Sequence, residues 1–158
     1  MHSNQIEIMR AVIQRVSRAD VLINGSERRE ISKGLVILVG IENTDNEQDV
    51  IWLAKKISNL RIIDDESGVM NKSLEEIGGD LMIISQFTLY AKTKKGNRPS
   101  YIHAAKPEIA IPVYEDFINI MRNLISGKVI TGEFGAHMEI SLINDGPVTL
   151  IIDTKNKE

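Results

Sequence analysis

Residues 138–153 read MEISLINDGPVTLIID, and how this stretch is taken decides how the chain closes. Two runs of strand character, EISLI and VTLIID, flank Asn144, Asp145, Gly146 and Pro147. Turn-forming residues between strand-like runs predict a β-hairpin. The Gly-Pro pair is the unusual part. Proline cannot donate a ladder hydrogen bond, and the bond before it is the only kind that takes the cis form at modest cost, about 0.5–1 kcal/mol.

Working outward, MRAVIQRV (9–16) and ADVLI (19–23) read as two short strands, with NGSE (24–27) supplying hairpin chemistry. The continuous apolar run GLVILVGI (34–41) predicts a strand buried on both faces. Thr44 with Glu47 has the form of a capping box, and Val50, Leu53, Ile57 and Leu60 follow at helical spacing. LRII, the turn DDESG and VMNKS suggest a further pair of extended pieces, and LMIISQFTLYA (81–91) reads as one strand. Pro107 and Glu108 open a second helix carrying Ile111, Tyr114, Ile118, Met121 and Ile125 on one face, with Gly127 as its stop. Pro112 inside that pattern implies a kinked first turn or a regular helix that starts there. KVIT (128–131) is a last short strand before the closing stretch. Strands outnumber helices and many connections are short. The expected architecture is α+β: a curved, barrel-like, mostly antiparallel sheet with two main outside helices.

At 158 residues, without internal repeat or dividing linker, the chain suits one domain, which buries roughly 68–70% of its unfolded surface. Hydrophobic residues make up 42% and aromatics only 4%, so the core is aliphatic and aromatic platforms for stacking bases are few. The absence of cysteine removes disulfides, thiol nucleophiles and thiolate zinc sites. The longest apolar stretch, LVILVG with Ile41 after it, is far shorter than the about 20 residues that span a bilayer. MHSNQIEI at the start has neither a basic nor an apolar signal region. These features lead to the expectation of a soluble cytoplasmic protein without a membrane partner. The net charge of −3 argues against a surface that is basic throughout, not against a local basic patch.

Nucleophilic and metal chemistry find little support. Histidine is limited to His2, His103 and His137, and no spacing sets one against a particular serine. No two histidines stand four apart, and no glycine-rich phosphate loop is present. Two stretches remain. In SQFTLYA, the polar groups of Ser85, Gln86, Thr88 and Tyr90 follow a buried strand half. They either satisfy backbone at a strand end or present amides and hydroxyls to a substrate carbonyl. Residues 92–106, KTKKGNRPSYIHAAK, hold five Lys or Arg and no acid. This is either a solvated loop or a phosphate-contacting patch, suited to single-stranded ends because no recognition helix is apparent.

MRAVIQRVSRADV from Met9, GVMNKSL from Gly68, SQFTL from Ser85, NRPSY from Asn97 and NDGPVT from Asn144, in that order, resemble the D-aminoacyl-tRNA deacylase family. The resemblance runs from Met9 to about Asp153. Residues 1–8 fall outside it as an N-terminal extension, and residues 9–158 form a single deacylase domain. It implies hydrolysis of the ester joining a D-amino acid, or glycine, to the 3′ end of tRNA, by a homodimer that needs no metal or organic cofactor. By this resemblance Ser85, Gln86, Phe87 and Thr88 line the reaction pocket. Gly146 and Pro147 form a Gly-cisPro chiral filter that reaches into the other subunit's pocket, where both carbonyls accept hydrogen bonds from the substrate ammonium. Arg15 stands near that filter, and Lys92, Lys94, Lys95 and Arg98 are the expected tRNA contacts. Thr88 is a nucleophile candidate without an obvious base, and the family's favoured account uses the tRNA's own 2′-hydroxyl instead. His137 and Lys92 depart from the pattern, standing where the family tends to carry acids. The rival readings are a tRNA-end binding module without turnover and a small-molecule esterase with a Ser or Thr nucleophile.

Overall fold

A computed structural model describes residues 9–42 and 47–158; the expected N-terminal extension and the capping box at Thr44 lie outside the described residues. In chain order the elements are β1 (Met9–Ile23), β2 (Glu27–Ile31), β3 (Gly34–Ile41), α1 (Glu47–Asn59), β4 (Ile63–Asp64), β5 (Met70–Lys72), α2 (Leu74–Ile77), β6 (Asp80–Ser85), a 3₁₀ turn (Phe87–Tyr90), α3 (Pro107–Leu124), β7 (Val129–Thr131) and β8 (Met138–Asp153).

The two short strands expected at the start are one strand. β1 pairs through residues 9–16 with β3 and through residues 19–23 with β2, so a single long strand templates two neighbours along one edge. The expected hairpin after Ile23 is present, with Asn24 and Gly25 at positive φ (50° and 71°).

The hairpin expected at NDGPVT does not form. β8 lies antiparallel along the other edge of β1, from Met138 opposite Ile23 to Asp153 opposite Arg10. Both apolar runs therefore travel in the same direction on the same partner. Residues 145–148 bulge out between Asn144, opposite Val16, and Thr149, opposite Gln14. The reason is the length of β1: its full edge satisfies the ladder groups of both runs within a larger sheet, whereas an isolated two-stranded hairpin is marginal in water.

β3 leads through α1 to β6, and β6 through α3 to β7; both pairs are parallel, as helical crossovers require. The order β2-β1-β3-β6-β7, with β8 added on β1, makes the sheet that carries both crossover helices. α3 runs from Pro107 straight through Pro112, so the regular helix begins five residues before that proline, and it ends at Leu124, before Gly127. The short helix α2 escaped the sequence reading although its capping box is in plain view: the Glu76 amide donates to Ser73 Oγ at 3.2 Å and the Ser73 amide to Glu76 Oε1 at 3.0 Å.

The core has two compartments, one on each face of β3. Ala11, Ile13, Leu35, Ile37 and Ile83 pack against Leu53 and Ile57 of α1 and Phe117 and Met121 of α3. On the opposite face Val16, Val21, Val36, Met82 and Ile84 are covered by Ile31 and by Met138, Ile140 and Leu142 as the sheet curls over itself. This two-sided burial explains the unbroken apolar run of β3. Among the described residues no helix is long and apolar enough to cross a membrane.

Candidate active site

The strand expected over 81–91 stops at Ser85. The Gln86 amide still donates to Val39 O at 2.8 Å, but the chain then tightens into the 3₁₀ turn, closed by Leu89 N to Gln86 O (3.3 Å) and Ala91 N to Thr88 O (3.1 Å). The turn drops the buried Tyr90 ring onto Gly40, where a Cβ would stand 2.9 Å from the ring and 3.1 Å from Gln86 O. Glycine at that position is what admits the turn. As the first two amides of the turn, Phe87 N–H and Thr88 N–H have no acceptor within it. The Thr88 hydroxyl is engaged by Gln86 Nε2.

Two side chains strap this segment in place. Arg10 donates from Nη1 to Leu89 O at 2.8 Å and from Nε and Nη2 to Asp153 Oδ2 at 3.1 and 3.0 Å, and its guanidinium lies 4.9 Å from the Tyr90 ring centre. Tyr114 of α3 donates to Ile83 O at 2.9 Å; burial pushes its hydroxyl up to about 12. Burial pushes the Tyr90 hydroxyl up as well, with the Asp153 carboxylate adding to the effect.

Ser85, Gln86 and Phe87 open onto a cleft of about 260 Å³, faced by Phe134, His137 and Met138 from the segment entering β8. Folding thus sets a histidine and Ser85 on one cleft, although no hydrogen bond joins them among the described residues. Phe87 is 54% exposed and meets Tyr101 edge-on, with ring centres 5.0 Å apart. That contact ties the basic loop to the site. Lys92 and Ser100 exchange backbone hydrogen bonds at 2.7 and 2.9 Å, so residues 93–99 project as a finger with Lys92, Lys94, Lys95 and Arg98 exposed.

The NDGPVT segment forms a second cluster. The Gly146–Pro147 peptide is cis, and Gly146 has φ of 124°. A Cβ on Gly146 would stand 2.9 Å from Val148 Cγ2 and 3.0 Å from an Arg15 nitrogen. Asn144 staples the bulge, its Oδ1 accepting from the Val148 amide (3.2 Å) and its Nδ2 donating to Thr149 Oγ1 (3.0 Å). Arg15 is buried; Nε donates to Asp145 O at 3.1 Å, and Nη1 donates to Ile62 O and to Asp64 Oδ1, each at 2.9 Å. The structure therefore unites Arg15 with Gly146, and separately unites residues 85–88. Within one chain it does not join the groups, since neither Gly146 nor Pro147 lines the cleft at Ser85.

The sequence model of the D-Tyr-tRNA(Tyr) deacylase family matches residues 12–153, a span containing both clusters. The chain belongs to that family. A D-aminoacyl-tRNA deacylase of Bacteroides fragilis is 63% identical over 150 residues, covering 95% of this chain and all of the relative; those of Bacteroides thetaiotaomicron and Flavobacterium psychrophilum are 60% and 59% identical over the same shares. Among solved structures, the c-Myc DNA Unwinding Element Binding Protein superposes with a TM-score of 0.84 at 36% identity, covering 90% of this chain and 97% of that one. A probable eukaryotic D-amino acid tRNA deacylase shares the fold, with a TM-score of 0.81 at 17% identity over 92% and 99% of the two chains.

In this deacylase-family chain the sequence reading overlooked Arg10 and Tyr101 as parts of the site. Arg10 sits in a strand pattern that reads as polar-out alternation, and nothing local reveals that Leu89 and Asp153 converge on it. Tyr101 carried a signal: an aromatic within an otherwise basic, polar loop has a packing partner or a ligand to meet.

Proposed function

We infer that this chain is a hydrolase that cleaves the ester between a D-amino acid and the 3′ end of tRNA, releasing free tRNA and the D-amino acid. Family membership supports the reaction. The observation that carries the site is the pair of Phe87 and Thr88 amides at the head of the 3₁₀ turn, beside a cleft and without acceptors in the turn. Two such donors suit a carbonyl oxygen on which charge develops. Water adds to the ester carbonyl, the amides hold the resulting oxyanion, and the bond to the ribose oxygen then breaks. The proton that the attacking water loses passes through the neighbouring 2′-hydroxyl to that oxygen, leaving a free ribose hydroxyl and the amino acid. Ser85 and Gln86 shape the wall. The Thr88 hydroxyl accepts from Gln86 Nε2, an amide that cannot serve as a base to activate it, which favours substrate assistance over attack by threonine.

Selection for D stereochemistry rests with Gly146 and Pro147, whose carbonyls hold the substrate ammonium, with Arg15 bracing them. Because these residues stand away from the cleft of their own chain, the complete pocket takes them from a second copy, and the working unit is a homodimer. A filter that excludes L side chains has no grip on an achiral residue, so glycyl-tRNA is a substrate too. Lys92, Lys94, Lys95 and Arg98 hold the acceptor end. Residues 9–158 act as one deacylase domain with residues 1–8 as an extension, working in the cytoplasm beside the charged tRNA pool.

The test is ester loss from D-tyrosyl-tRNA and L-tyrosyl-tRNA with purified protein. D-selective release is expected. Binding without release would return the chain to a tRNA-end module, and release from free amino-acid esters that carry no terminal adenosine would make it a small-molecule esterase.

A further inference from the structure

A second cleft lies away from Ser85. About 580 Å³ in volume, it opens between α1 and the end of β8, with Trp52 on its wall. Trp52 is the chain's only tryptophan, and it is flanked by two ammonium groups, Lys157 Nζ at 4.4 Å and Lys56 Nζ at 5.7 Å from the ring centre. On one side the cleft continues past Lys56 to Lys55 and Arg61. On the other it shares Asp153 and Asn156 with a smaller cleft that contains Lys155 and Lys92. One cationic groove thus runs from the root of the basic loop, two residues after Tyr90, to the tryptophan on α1.

Among the described residues that line these clefts, Asp153 is paired with Arg10, while Glu42 and Glu158 are outnumbered by Lys55, Lys56, Arg61, Lys92, Lys155 and Lys157. A strip of cations centred on an aromatic face stands out on a chain of net charge −3. Lysine is depleted at the cores of protein–protein interfaces, whereas lysines beside a stacking ring are the equipment for a nucleic-acid strand.

We propose that the groove from Lys92 through Lys155 to Trp52 binds the sugar-phosphate backbone of the tRNA acceptor arm behind the terminal nucleotide, with Lys56 and Lys157 on phosphates and the Trp52 face against a ribose or unpaired base. This rests on the deacylase reading, which puts the 3′ end at Phe87 and leaves the rest of the arm to lead away along the surface.

The single tryptophan makes the test direct. Deacylated tRNA titrated into the full chain quenches Trp52 emission, while adenosine alone, which fills only the cleft at Phe87, does not. The Lys56→Ala/Lys157→Ala variant lowers the magnitude of the log Kd against log salt slope by about 1.4–1.8. It leaves hydrolysis of D-tyrosyl-adenosine unchanged, and its sedimentation matches the parent. Absence of quenching by tRNA, equal quenching by adenosine, or an unchanged slope would overturn the proposal, as would a changed oligomeric state, which would assign the face to contact between copies. Failure of D-tyrosyl-adenosine hydrolysis with quenching intact would instead count against the deacylase reading alone.

Discussion

Arg15 Nε donates to the backbone carbonyl of Asp145 across 3.1 Å, and by that bond a buried arginine of β1 holds the base of the bulge that carries Gly146 and Pro147. The same guanidinium reaches Ile62 O and Asp64 on the β4 side. Arg15→Ala leaves these acceptors without their charged donor, and a loss of roughly 2–3 kcal/mol is expected in urea denaturation. The D-over-L ratio of kcat/KM falls with it. Lowered stability with an unchanged ratio would make Arg15 purely structural.

Gly146→Ala asks more of the bulge than of the fold. At φ of 124°, with Val148 Cγ2 and an Arg15 nitrogen 2.9 and 3.0 Å from the added carbon, the segment must shift to accept a side chain. The urea midpoint is expected to move little, because β8 keeps its ladder on either side, while discrimination against L-tyrosyl-tRNA weakens at least tenfold (about 1.4 kcal/mol). Full discrimination in this variant would remove Gly146 from the filter.

Thr88→Ala separates the two catalytic accounts. With the hydroxyl serving Gln86 rather than the substrate, single-turnover rates stay within about tenfold of the parent, whereas tRNA ending in 2′-deoxyadenosine loses at least about 100-fold. The reverse pattern, with binding intact, would make the threonine hydroxyl chemical.

Tyr114 links pH to the strand that ends at the site. Burial raises its folded-state value from 10.0 to about 12, so the unfolded chain loses this proton first as pH rises. Its contribution to stability is present in full below pH 10.0 and is lost as pH climbs toward about 12. Tyr114→Phe should cost about 0.5–1.5 kcal/mol at neutral pH, by removing one of the two donors to Ile83 O and leaving it the Gly132 amide at 3.3 Å, and should flatten the alkaline decline. Melting curves at pH 8, 10 and 11 check both effects, and an unaltered decline would assign it to other groups.

Lys94 and Lys95 project on the loop finger, clear of the core. Changing both to alanine should reduce the magnitude of the affinity-versus-salt slope for tRNA by about 1.4–1.8 without altering the D-over-L ratio. An unchanged slope would return them to the solvated surface.

Much of the architecture follows from local pattern. The apolar run 34–41 announces a strand buried on both faces, the spacing of Val50, Leu53 and Ile57 and of Tyr114, Ile118 and Met121 announces the two crossover helices, and Asn24-Gly25 announces the first hairpin. Ser73 with Glu76 was equally legible as the start of α2. Each is a property of residues a few positions apart.

What the chain does with SQFTL and NDGPVT is not local. That Phe87 begins a tight turn depends on Gly40, nearly fifty residues earlier, offering room for the Tyr90 ring. That NDGPVT is a bulge rather than a hairpin depends on β1 being long enough to pair with both flanking runs, a competition that no window around residues 138–153 contains. The sequence by itself determined where the two long helices and the buried strand 34–41 would lie and which short motifs were out of the ordinary, because burial periodicity and turn chemistry act within a few residues. The tertiary structure alone decided which edge each strand would take, and hence where two backbone amides and a braced glycine would stand, because hydrogen-bond partners in a sheet are chosen by whichever distant edge satisfies most of them at once.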